Sequence, residues 1–98
     1  MIFMNRSLIC RAFSEFLRQH NIRVMLEGGD DIWLFSIAGQ RELPWGSGEN
    51  SDEAFEDLAI SLRGWFVIAT ISESERRIVV VPDFTKITPQ QSECAIAA

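Results

Sequence analysis

Five carboxylates fall within one short stretch, Glu49, Asp52, Glu53, Glu56 and Asp57, and clustered oxygen ligands of this kind are what a divalent cation takes. A helix covering them turns about 100° per residue, which fans Asp52, Glu53, Glu56 and Asp57 over about 140° of its outward side. They do not converge on a point, so no metal and no cofactor is expected. The same wheel places Ile60 among those acids. An apolar residue surrounded by carboxylates can anchor a basic protein, so Asp52, Glu53, Glu56, Asp57 and Ile60 form the expected partner-binding face.

The run Trp45-Gly46-Ser47-Gly48-Glu49-Asn50 precedes that helix, at the position where backbone amides can cradle a phosphate. Its spacing does not fit. A dinucleotide fingerprint needs a third glycine where Ser51 stands, a P-loop needs Gly-Lys-Ser or Gly-Lys-Thr, and Glu49, Asp52 and Glu53 would repel the anion. The run reads as a plain flexible connector. His20 is the only histidine and has no evident base partner, while Cys10 lies beside an apolar arc and reads as a small buried hydrophobe. Asp30 and Asp31 are turn residues. No catalytic residue emerges, and an enzyme is not expected.

Charge is distributed unevenly along the 98 residues. The total is −5, from fourteen acids and nine bases. Residues 1–26 carry four arginines against Glu15, whereas residues 27–57 carry nine acids against Arg41 alone. Nucleic-acid binding rests on clustered Lys and Arg neutralising phosphates, so this acidic middle argues against DNA, RNA and anionic lipid surfaces. The longest uncharged stretches, residues 32–40 and 64–72, are far short of the about 20 apolar residues that span a bilayer. Charge follows the apolar residues at the N-terminus, the reverse of a secretory signal. Two cysteines, Cys10 and Cys94, cannot build a disulfide framework. A cytoplasmic chain is expected.

The elements that would position these residues follow from periodicity. Over residues 5–21, Leu8, Ile9, Ala12, Phe13, Phe16 and Leu17 recur at steps of three and four, which marks a first helix. Ile22, Val24 and Leu26 alternate with polar or less apolar neighbours up to Gly28-Gly29-Asp30-Asp31, and residues 32–37 follow, giving two strands and a turn. A short third strand is expected at residues 41–43, ended by Pro44. Asn50 and Glu53 have capping-box spacing, so a second helix covers residues 51–63 with Phe55, Leu58, Ala59 and Leu62 inward and Gly64 as its stop. Residues 65–71 and 76–81 are two more strands. The expected fold is α+β in αββ(β)αββ order, an antiparallel sheet with two helices packed mainly on one face. Residues 1–88 make this single domain, and residues 89–98 a flexible C-terminal tail.

Both sides of the strands are apolar. Trp33, Phe35 and Ile37 back onto Ile32 and Leu34, and Val67, Ala69 and Ile71 back onto Phe66 and Ile68. A sheet with one solvated face would alternate apolar with polar residues instead. Each large apolar side chain left in water forgoes roughly 1.5–3 kcal/mol, which several together would set against a net domain stability of about 5–15 kcal/mol. The second face therefore needs a cover, and a homodimer is the expected one. In element order the chain is similar to the type III secretion chaperones, with no residue motif shared; the likeness implies only that acidic αβ modules of this kind bind other proteins. The expected function is a small acidic protein-binding module, a chaperone, adaptor, or inhibitor or immunity-type protein acting as a dimer on a basic partner. The alternative is a small-ligand binder or enzyme with a pocket between the first helix and the sheet, lined by residues such as Phe13, Phe16 and Trp33.

Overall fold

The computed structural model describes residues 6–86, with side chains from Leu8 onward. The expected tail and Cys94 lie outside the described residues. The element order is α1 (Arg6–Gln19), β1 (Val24–Gly28), β2 (Trp33–Ile37), β3 (Gly46–Gly48), α2 (Ser51–Ser61), β4 (Phe66–Thr70), β5 (Arg76–Val80) and a 3-10 turn (Phe84–Lys86). This is the α+β order read from the sequence.

Local chemistry sets the helix ends. α1 stops because Asn21 takes a left-handed φ of 55°, a conformation that Asn tolerates better than most side chains, and the Ile22 N–H closes back on the Leu17 carbonyl at 2.8 Å. α2 begins with the reciprocal cap that Asn50 and Glu53 predicted. The Asn50 side chain accepts from the Glu53 N–H at 2.9 Å, and Glu53 reaches back to the Glu49 N–H at 3.2 Å and the Asn50 amide at 3.3 Å. Gly64, at φ +79°, provides the turn out of the helix.

The strands form two antiparallel sheets rather than one continuous one, β1-β2-β3 and the ribbon β4-β5. In the first, Leu26 opposes Phe35 and Val24 opposes Ile37; in the second, Phe66 opposes Val80 and Ile68 opposes Ile78. The third strand lies at Gly46–Gly48, and residues 41–43 turn instead. This corrects both the expected strand position and the expected flexible connector. A Cβ on Gly46 would stand 2.2 Å from the Leu58 nitrogen, and one on Gly48 2.5 Å from the Glu53 Cβ. The two glycines let β3 lie directly against α2, a tertiary contact with no signature in local periodicity.

One core joins everything. Phe13, Ile37, Leu58, Leu62, Val67 and Val81 are fully buried in it. The 3-10 turn completes it, because Phe84 enters between the helices and meets Phe13 at 5.5 Å and Phe16 at 5.9 Å between ring centroids. Phe13 also tilts against Phe55 at 4.8 Å, and Phe55 against Phe35 at 5.2 Å. With extents of 38 × 38 × 18 Å the molecule is a flat slab.

The two sheets meet along the edge of β4 that β5 leaves open. There the Gln40 side chain donates to the Ile68 carbonyl at 3.0 Å and accepts from the Ile68 N–H at 2.9 Å, as a neighbouring strand residue would. The Asn21 amide donates to the Thr70 carbonyl at 3.1 Å beside it. Side chains, not a backbone ladder, close this seam.

Candidate functional site

Two surfaces emerge, one charged and one apolar. On α2 the expected partner-binding residues sort into two stripes four residues apart. Glu53 and Asp57 belong to the stripe turned toward β3. Glu53 makes the helix cap, and the Asp57 carboxylate accepts from the Ser47 N–H at 2.9 Å, so both carboxylates hold the Gly46–Asn50 segment against the helix. Asp52, Glu56 and Ile60 form the adjacent stripe. Asp52 is exposed, while Glu56 and Ile60 are half-buried. Beside the stripe, the Cys10 thiol of α1 lies 3.8 Å from the Asp52 backbone carbonyl. Asp52 and Glu53 occupy the first turn of α2, where the helix dipole favours negative charge. Among the described residues, no three His, Cys, Asp or Glu side chains come together in a way that could hold a metal ion.

The glycine run has no room for a phosphate on its inner side, because α2 fills the space a Cβ would take. His20 ends α1 with its ring against Phe16, 4.7 Å between centroids, a packing role. Phe13 and Phe16, named for the alternative pocket, are core residues whose faces are taken by Phe55, Phe84 and each other's surroundings. Trp33 lies elsewhere, its ring over Gly28 on the neighbouring strand. A shallow cleft of about 290 Å³ opens instead at the seam, lined by Asn21, Arg23, Ala38, Gln40, Ile68 and Thr70.

The apolar surface is the outer side of the β4-β5 ribbon. Strand alternation sends Val67 and Ala69 into the core, each 1% exposed, and turns Phe66 and Ile68 away from it. Phe66 is 66%, Ile68 43%, Ile78 68% and Val80 51% exposed. They are two directly opposed cross-strand pairs, so they form one patch, with Trp65, 46% exposed, just before it in the chain. The third pair on this side is Thr70 with Arg76. The first sheet differs: Ser36, on the side of β2 opposite Phe35, is only 2% exposed, so its back is closed at that point. Met25 and Leu26 of the first sheet and Ile32 beside it are exposed as well, but among the described residues it is on β4-β5 that two such cross-strand pairs lie side by side.

No helix among the described residues is long and apolar enough to cross a membrane. Compared with known proteins, the chain matches no family model, none of the curated proteins and none of the solved structures.

Proposed function

We propose that this chain is a protein-binding module that acts by occupancy, as a dimer in the cytoplasm, seating the acidic stripe of α2 on a basic protein. The observation that carries this reading is the apolar face of β4-β5, which no other described residue covers. Four large side chains in contact with water would lower the stability of so small a domain, and association relieves that cost. The α2 stripe supports the second half of the reading, since Asp52 and Glu56 stand four residues apart with Ile60 one turn further on. Charge at such a surface selects a partner by sign and speeds encounter, while the apolar residue supplies contact area.

The test must spare the fold. Glu53 and Asp57 hold backbone hydrogen bonds, so reversing them would unsettle α2 itself. Asp52→Lys changes an exposed side chain of the stripe and leaves those bonds in place. In affinity capture from the native cell, the wild-type chain is expected to retain basic proteins that moderate salt releases and that the variant fails to hold. Equal capture by both proteins, or none by either, would sink the proposal.

A further inference from the structure

Two clefts meet at the 3.1 Å hydrogen bond between the Asn21 amide and the Thr70 carbonyl. The seam cleft has Arg23 and Gln40 on its walls, and a second, of about 320 Å³, lies between the end of α1 and the ribbon, with Gln19, His20 and Arg77 on its walls. Asn21 and Thr70 line both, so the two make one trough. Either half is near the lower limit of volume for a small-molecule site.

Every ionisable residue lining this trough is basic, His20, Arg23 and Arg77, in a chain whose acids outnumber its bases fourteen to nine. The register sets Arg77 opposite buried Ala69, on the side of the ribbon away from Phe66 and Ile68. Neither arginine forms an ion pair among the described residues, unlike Arg18, which Glu15 holds at 2.7 Å. Nor does the end of α1 need Arg77 to answer its dipole. Arg18 already stands in the last turn, and the N–H groups of His20, Asn21 and Ile22 close on the carbonyls of Phe16, Arg18 and Leu17. A backbone donor is left over as well. Alternation points the Thr70 N–H out of the same edge of β4 as the Ile68 N–H, and while Gln40 takes both Ile68 groups, Asn21 takes only the Thr70 carbonyl.

We infer that the trough binds a small organic anion with two oxyanion groups, carboxylate or phosphate, one held by Arg23 and the other by Arg77, with the Thr70 N–H between them. A planar guanidinium meets either group with paired N–H donors. Because neither cleft includes Asp52, Glu56 or Ile60, this site stands apart from the reading above.

Amide NMR on the whole chain, titrated in separate series with citrate, inorganic pyrophosphate and acetate, tests this. Citrate or pyrophosphate is expected to move the Asn21, Arg23, Thr70 and Arg77 amides along saturating curves, and acetate, with one carboxylate, to need a higher concentration. Whichever polyanion saturates first tells a carboxylate ligand from a phosphate one. Arg23→Gln and Arg77→Gln, both at exposed positions, are each expected to weaken binding about tenfold, as the loss of a charge-assisted hydrogen bond does, while Arg11→Gln, exposed further up α1, leaves it unchanged. Should a glutamine variant lose its dispersed spectrum, Arg23→Lys and Arg77→Lys take its place, with a smaller loss expected because the charge stays and the fork goes. Shifts that never saturate, that spread equally to Arg11, or that survive unchanged in the Arg23 and Arg77 variants would overturn the site.

Discussion

At the scale of single residues, the tightest constraint is a missing side chain. Gly46 stands where a Cβ would lie 2.2 Å from the Leu58 nitrogen and 2.3 Å from the Ala54 carbonyl oxygen, and neither backbone atom can swing aside. Gly46→Ala should therefore destabilise the domain by about 3 kcal/mol, the upper part of the range for overpacking, seen as a lower urea midpoint. Asp83 offers a test by pH. The Thr85 hydroxyl hydrogen-bonds its carboxylate and holds the group below the ordinary carboxylate range, helped by the Thr85 N–H and the nearby charges of Lys86 and Arg63. A carboxyl depressed in the folded state lends stability that is fully present above its unfolded value, about 3.9, and is lost as pH falls through the lower folded value. Urea unfolding at stepwise lower pH should show Asp83→Ala losing less stability than the wild type below about pH 4. Parallel curves would remove Asp83 from the account.

At the scale of elements, what could be read in advance was what depends on neighbours in the chain. The apolar stripe of α1, the Asn50–Glu53 cap and the Gly64 stop are all set within one or two turns, and they appear where periodicity placed them. β3 did not, because glycine carries no hydropathy and its reason for being there is a helix backbone several residues further on. Phe84 was missed in the same way: one aromatic between Pro82 and the chain's end has no period to betray it, yet it fills the gap between two helices. Of the candidate site, its position on α2 was legible, but not the division of its carboxylates into two that brace β3 and two on the outward stripe. The split between the sheets was equally hidden, since Gln40 is one polar residue in a loop until it meets Ile68. Removing that amide in Gln40→Ala should cost about 1 kcal/mol, the low end for lost hydrogen bonds because water reaches the seam, with amide exchange at Ile68 accelerated while β1-β2 stays protected. Unchanged exchange at Ile68 would mean that the side chain is not what holds the two sheets together.

At the scale of the whole molecule, layering explains why a bare face exists at all. Buried residues of both helices, Phe84 and one side of β4 share a single core, so the β4-β5 ribbon is packed on one side where its composition suits two. Association then contributes to folding by mass action, and the thermal midpoint of the wild type should rise with protein concentration. The same series with Ile78→Lys should give one midpoint at every dilution. A wild-type midpoint indifferent to concentration would separate folding from self-association and leave the slab stable alone.

None of the three indoles lies in the buried core: Trp33 and Trp45 are half-buried, and Trp65 stands at the start of the apolar ribbon. With no tyrosine in the chain, they supply its near-ultraviolet emission. The protein therefore carries its own optical reporter, tuned to its perimeter rather than to the packing of its interior, and Trp65 would shift toward the blue when solvent is excluded from its ring.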